Sequence, residues 1–443
     1  MSSLREKILD TFRRIRERGE DGVWISLLTV EEAIRHAERV ESDSRELPFR
    51  GRTFAIKDNI DLAGLPTTAA CPAFAYMPER SATVVQRLID AGAVPIGKTN
   101  LDQFATGLNG TRSPYGFPRN FYDSAYISGG SSSGSAIAVA AGLVDFALGT
   151  DTAGSGRVPA AFNNLVGLKP TRGSWSAAGL VPACRTLDCI TVLARTVQEA
   201  SQVDQVARDF DPNDPYSRMP TDFKPPELVR IGVLPPKERE FFGDEEYAGL
   251  YDSAVERAAS LGWAIHEFDY RPFRDAADLL YQGPWVAERY SAAKSIVETN
   301  PHALHPVVRS IMLAATKFSA VDAFEAQYRL AELARESEKT WQTADALLLP
   351  SAGTIYTIEQ MLAAPIELNS NLGRYTNFMN LLDLCGIAIP AGFRSDRIPF
   401  GVTLFAKAWA DPLLFELARA FENDSSETCS NAASNEHRLH RIR

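Results

Sequence analysis

Only five of the 443 residues are cysteine, at positions 71, 184, 189, 385 and 429. The count is odd and no C-x-x-C pair occurs, which argues against a disulfide framework or a zinc site. Buried or incidental thiols in a reducing cytoplasm are the expectation. Long apolar runs are missing too. The longest, AIAVAAGLV (136–144), is too short to span a bilayer. The N-terminal MSSLREKILDTFRRIRERG is a charged amphipathic helix without a signal-peptide core. Positive charge is outnumbered, and the net charge of −10 argues against a nucleic-acid surface. Histidine is scarce where it would matter most. The six stand at 36, 266, 302, 305, 437 and 440, leaving none between 37 and 265. His302 and His305, in NPHALHP, have the spacing of a metal pair, but no acidic or cysteine partner adjoins them. They read as helix-start or surface residues.

What is present is ordinary in bulk. Hydrophobic content of 45% and charged content of 23% suit a globular chain, and this length can bury a large core unaided. Residues 1–45 read as two helices, the second opened by a capping box of Thr29 and Glu32. From residue 52 short apolar runs alternate with helical patterns. Strands are expected at TFAIKD (53–58), VPIG (94–97), DFALGT (145–150), VGLK (166–169) and VRIGVL (229–234). Others are expected at AIHEFD (264–269), ALLLP (346–350), IAIPAG (387–392) and FGVTLFA (400–406). The alternation points to an α/β fold with a mostly parallel or mixed sheet. The stretch FDPNDPYSRMPTDFKPPE (210–227) reads as a surface connection. We expect an N-terminal helical arm over 1–50, one main domain over 51–421 and a polar, disordered tail over 422–443.

Two loops rich in glycine and serine, SGGSSSGSA (128–136) and GTDTAGSGR (149–157), run into helical patterns. Small residues let the backbone turn tightly and aim N–H groups at an anion, either a phosphate or an oxyanion. Flexible linkers do not run directly into apolar helices and strands. Phosphate binding lacks its usual spacings, G-x-x-x-x-G-K-[ST] or G-x-G-x-x-G with a later acid. Acyl transfer by a serine nucleophile remains, and it needs a base. With no histidine near the loops in sequence, the candidate is Lys57, which ends the apolar run TFAIK. A strand-end lysine is ordinarily solvated. Held among small apolar groups it gives up its charge readily. To act near pH 7 its pKa must fall by roughly 3 from ~10.4, on the order of 4 kcal/mol.

Taken together, AIKDNI (55–60), GKTN (97–100), SGGSSSGSA and GTDTAGSGRVPAAFNNLVGLKPTRG (149–173) resemble the amidase signature family of serine hydrolases. The resemblance implies a large mixed β-sheet covered by helices on both faces. It also implies a Ser–cis-Ser–Lys triad. Ser155, the serine of D-T-x-G-S, would be the nucleophile. Ser131, the first serine of G-G-S-S, would follow a cis peptide after Gly130 and relay the proton to Lys57. Backbone N–H groups of Thr152, Ala153, Gly154 and Ser155 would form the oxyanion hole. Ser132 would hydrogen-bond within the first loop. Where many members read D-T-G-G-S-I-R, this chain has Ala153 and Gly156.

Further stretches resemble the allophanate hydrolase branch of that family: LDQFATGLNGTRSPYG (101–116), AFNNLVGLKPTRG and YTNFMNLLDLCGIAIPAG (375–392). YQGPWVAERY (281–290) resembles the segment that binds the substrate carboxylate there, which puts Tyr281 and Arg289 at that task. By periodicity alone this stretch is an amphipathic helix with a surface arginine and a core tyrosine. Allophanate is N-carboxylated urea, a small anion that arginine can pair bidentately. The resemblance therefore implies hydrolysis of its terminal C–N bond through a serine acyl-enzyme. It implies no metal or organic cofactor, a small anionic amide as ligand, and a homodimer. Urea carboxylation and s-triazine breakdown would both supply such a substrate. The rival expectations are an amidase for malonamate or simple amides, and the glutaminase component of a tRNA-dependent amidotransferase. Two departures stand out. RNFYDSAY (119–126) replaces a region where many relatives have prolines. The final SSETCSNAASNEHRLHRIR does not resemble the C-terminal domain usual in that branch, so an amidase-only or truncated form is expected.

Overall fold

The computed structural model describes residues 3–424. Eleven strands form one sheet. They are β1 (Trp24–Leu27), β2 (Thr53–Lys57), β3 (Val94–Thr99), β4 (Phe146–Asp151), β5 (Val166–Lys169) and β6 (Cys189–Ala194). The later strands are β7 (Arg230–Val233), β8 (Ala264–Glu267), β9 (Ala346–Pro350), β10 (Leu384–Phe393) and β11 (Pro399–Lys407). Their spatial order is β1-β3-β2-β4-β6-β5-β10-β11-β9-β7-β8. The triplets β3-β2-β4 and β9-β7-β8 are parallel. The strands between β4 and β9 are joined antiparallel, as is the edge strand β1. The sheet is mixed, as the alternation of elements implies.

Strands β2, β4 and β6 are buried along their whole length. Both faces are covered, which is why they lack the alternation of a half-exposed strand. The period of two is still visible in what each side chain touches. Phe54 and Ile56 join one apolar cluster, while Ala55 joins another on the opposite face. Phe146 and Leu148 face the first cluster and Ala147 the second.

The second cluster is closed by the N-terminal arm. Its helices, Leu4–Arg18 and Val30–Ser42, both open on capping boxes, Ser3 with Glu6 and Thr29 with Glu32. Ile8, Phe12, Ala33 and Ala37 pack there with Ile96, Ala147 and Leu193. The arm also contributes β1, which pairs with β3. That strand and β6 have no counterpart among the expected strands. Residues 210–227 contain no helix or strand.

Residues 411–424 are helical, so the boundary expected at Glu422 falls inside a helix. The Glu422 carboxylate accepts the Val197 N–H at 3.0 Å. The rest of the expected tail, 425–443, lies outside the described residues, and Cys429 with it. Cys71, Cys184, Cys189 and Cys385 are buried free thiols. His305 caps the helix Pro306–Leu313, its Nδ1 accepting the Val307 N–H at 3.3 Å, in keeping with a helix-start residue. Among the described residues no helix is long and apolar enough to cross a membrane.

Leu348 lies on β9, between β11 and β7, and is fully buried. Leu348→Ala is expected to lower the unfolding free energy by about 2–5 kcal/mol. Denaturant titration measures this, and a change below 1 kcal/mol, roughly the cost of a surface substitution, would contradict the packing described.

Candidate active site

Adjacent parallel strands β2 and β4 end side by side, on Lys57 and Asp151. Clefts of α/β sheets commonly form outside such carboxyl ends. Lys57 is fully buried, and its Nζ donates to three hydroxyls: Ser131 Oγ at 2.7 Å, Ser132 Oγ at 3.0 Å and Thr150 Oγ1 at 2.7 Å. Burial lowers its pKa to about 7, against the pull of Asp102, Asp151 and Asp188. Lys98 is equally buried, but its Nζ lies 3.2 Å from Asp58 Oδ1. Only Lys57 of these two has hydroxyls alone for partners, and an amine so placed can take a proton from one of them.

The serines reach Lys57 through the first loop. The Gly130–Ser131 peptide is cis. A Cβ at Gly130 would run into the Asp102 carboxylate, so no larger residue fits beneath Ser131. Asp102 in turn accepts the backbone N–H groups of Gly110 and Arg112, each at 3.0 Å. Ser132 does hydrogen-bond locally: its hydroxyl donates to Thr150 O and accepts Thr150 N–H, both at 3.2 Å. The helix Ser133–Ala140 follows at once and carries the chain back over the sheet.

The second loop is organised by Asp151. Burial alone would raise its pKa, yet the Arg157 guanidinium holds it below the usual carboxylate value. Arg157 reaches it with Nε at 2.9 Å and Nη2 at 3.0 Å. The same carboxylate accepts Gly154 N–H at 2.7 Å and Gly156 N–H at 3.2 Å. This corrects the expected oxyanion set in one respect. The Gly154 N–H is spent on Asp151, whereas those of Thr152, Ala153 and Ser155 have no backbone acceptor among the described residues. Gly154 has a conformational part instead. Its φ is +126°, and a Cβ there would come within 2.5 Å of Thr376 Oγ1. Thr152 donates its hydroxyl to the buried Asp188, whose pKa burial raises to about 6.

Ser155 is buried at the centre of this loop. Its Oγ donates to Gly107 O at 3.4 Å, and no hydrogen bond joins it to Ser131 among the described residues. The loops themselves are in contact, with Ser132 N–H donating to Ser155 O at 3.2 Å.

Arg289 and Tyr281 are together, but the arginine is not on the surface. It is 1% exposed, on the helix Val286–Ala292. Its Nη2 donates to the Tyr281 hydroxyl at 3.0 Å, and the guanidinium lies 5.0 Å from the centre of that ring. Nη1 donates to Ala105 O at 3.3 Å and Thr106 Oγ1 at 3.2 Å. All these partners are neutral, and Nε has none. A buried cation so placed favours an anionic guest. Tyr281 also lines a cavity of about 180 Å³.

Sequence reasoning left out Thr150, Asp102, Asp151, Arg157 and Thr106. For Asp151 and Arg157 a signal existed: two opposite charges inside an otherwise small and polar loop, GTDTAGSGR. Thr150 and Thr106 show themselves only through contacts made far along the chain, and Asp102 through backbone bonds that close its own loop.

The Amidase family model matches residues 7–415. The chain belongs to the amidase family. Among solved structures it is similar to Kluyveromyces lactis allophanate hydrolase, with a TM-score of 0.90 and 43% identity, covering 95% of this chain and 70% of that one. Urea amidolyase of Lachancea kluyveri is 47% identical over 411 residues. That match takes in 91% of this chain but only 22% of the relative's length. A glutamyl-tRNA(Gln) amidotransferase component from Symbiobacterium thermophilum is 34% identical, covering 87% of this chain and 85% of its own.

A neutral Lys57 is required if it is to accept a proton. Because its pKa is lowered to about 7, the protonated form dominates below that pH and is inert. Amide turnover should rise with pH through an apparent pKa near 7 and then level off. Lys57→Met should fall by about 10²–10⁴-fold while its melting temperature holds or rises. A flat rate profile between pH 6 and 9 would contradict this assignment.

Proposed function

We propose that the chain hydrolyses the terminal C–N bond of allophanate. The observation that carries this reading is Arg289, a buried guanidinium with neutral partners and an unused Nε. It is tethered to the same loop, 105–107, that receives the Ser155 hydroxyl. The likeness to K. lactis allophanate hydrolase supports the choice of substrate.

In this reading the substrate carboxylate docks on Arg289 and the Tyr281 hydroxyl. Ser155 Oγ swings from Gly107 O to Ser131 Oγ by rotation about χ1. It attacks the terminal amide carbon as its proton passes through Ser131 to neutral Lys57. The oxyanion is met by the N–H groups of Thr152, Ala153 and Ser155, fixed donors that need no reorganisation. Collapse breaks the C–N bond. Lys57 returns the proton through Ser131 to the leaving nitrogen, and ammonia departs. Water, activated by the same pair, then cleaves the acyl-enzyme to regenerate Ser155 and release N-carboxycarbamate, which breaks down to carbon dioxide and a second ammonia. The reading carries with it a homodimer and a cytoplasmic setting, the latter supported by the four buried free thiols.

A glutaminase role is the competing reading, favoured by the match along most of the amidotransferase component's length. Ammonia release from allophanate, malonamate, glutamine and acetamide separates the two. The proposal expects allophanate to be strongly preferred. Arg289→Ala is expected to lower the allophanate-to-acetamide ratio of kcat/KM by at least about a hundredfold. Glutamine as the best substrate would overturn the reading. Fluorophosphonate labelling lost in Ser155→Ala would identify the nucleophile, and retained labelling would refute it.

A further inference from the structure

We propose that Thr106 is a positioning residue that couples recognition of the substrate carboxylate to the attacking serine. It thereby fixes the spacing between carboxylate and amide that the site accepts. This inference rests on the reading of Arg289 given above.

Thr106 is fully buried in LDQFATGLNGTR (101–112), a segment with little freedom. Phe104 and Ala105 hold φ angles of 50° and 51°, a region that L side chains rarely adopt. Asp102 pins the far end of the segment through Gly110 and Arg112 N–H. Three side chains then converge within two residues. The Thr106 carbonyl accepts Arg112 Nη1 at 3.0 Å. The Thr106 hydroxyl accepts Arg289 Nη1 at 3.2 Å and donates its own proton to Phe104 O at 3.2 Å. The next carbonyl, that of Gly107, accepts Ser155 Oγ at 3.4 Å. The hydroxyl's single proton is thus committed to Phe104, which leaves its lone pairs facing the arginine.

In the resting site the guanidinium and the serine hydroxyl therefore hang from consecutive residues of one braced loop, which sets where Arg289 stands relative to Ser155 before the hydroxyl turns to attack. Errors of an ångström in such a span are costly to catalysis. A fixed span selects one linker between carboxylate and amide carbon. In allophanate and malonamate that linker is a single atom, and in succinamate it is two.

The test is steady-state kinetics of Thr106→Val, which keeps the shape and removes the hydroxyl, and Thr106→Ser, which keeps the hydroxyl. Arg289→Lys is measured alongside, on allophanate, malonamate, succinamate and acetamide, and each variant is melted to check folding. Thr106→Cys replaces the valine variant if that one is unfolded. Thr106→Val should raise KM for allophanate by about tenfold or more, the scale of a lost hydrogen bond to a charged group. It should also narrow the preference for malonamate over succinamate, and Thr106→Ser should restore both. Thr106→Val that keeps both properties while Arg289→Lys loses them would overturn the inference and leave the function standing. Equal losses on allophanate and acetamide, unrestored by serine, would reduce Thr106 to a folding role and overturn it too. An unchanged allophanate-to-acetamide ratio in Arg289→Lys would bring down the Arg289 reading itself, and this inference with it.

Discussion

An ammonium group taken out of water needs a counter-charge close by, or it gives up its proton. Lys57 has no such counter-charge among its hydrogen-bond partners, only the hydroxyls of Ser131, Ser132 and Thr150. The sheet enforces this. Strand β2 is buried along its whole length, so its last side chain has nowhere wet to go. Lys98, one strand away on β3, is also held below the ordinary lysine range by burial, but Asp58 stands against its ammonium as a counter-charge. The difference between the two lysines is thus a matter of which partner stands nearest, a carboxylate for Lys98 and hydroxyls alone for Lys57.

The carboxylates around Lys57 are occupied elsewhere. Asp151 is held by the Arg157 guanidinium and three backbone N–H groups. Asp102 serves the backbone of 110–112, and Asp188 accepts the Thr152 hydroxyl. Their fields soften the fall in the lysine's pKa without capturing the ammonium. The same commitments shape the loops. Asp151 draws in the Gly154 N–H, and the amides of Thr152, Ala153 and Ser155 are left without a backbone acceptor among the described residues. Arg289 mirrors Lys57 with the opposite outcome. A guanidinium does not give up its proton in a protein, so burial with neutral partners leaves a charge awaiting an anion.

Much of this was legible in the sequence, because the loops carry their chemistry in contiguous runs. SGGSSSGSA, GTDTAGSGR and the out-of-pattern Lys57 pointed to one site, and the cis peptide falls where the resemblance implies. Strands such as TFAIK and ALLLP were readable because burial on both faces makes them uniformly apolar. β1 was not, being a short, half-buried edge strand between two strong helical patterns. The expected freedom of the Gly154 N–H failed for a local reason, since the Asp151 carboxylate, three positions back at the end of β4, claims it. Thr106 and Arg112 were invisible for a tertiary reason. Their partners, Arg289 and Pro365 among them, are brought close only by the fold.

The charge state of Lys57 is the claim on which the rest depends. Lysine labelled with carbon-13 at Cε, incorporated into the whole protein, reports each ammonium's titration by NMR. Comparison with Lys57→Arg assigns the signal. The account predicts one lysine titrating near pH 7. If every lysine keeps its proton to pH ~9 or above, as ordinary lysines do, the buried amine is not the base.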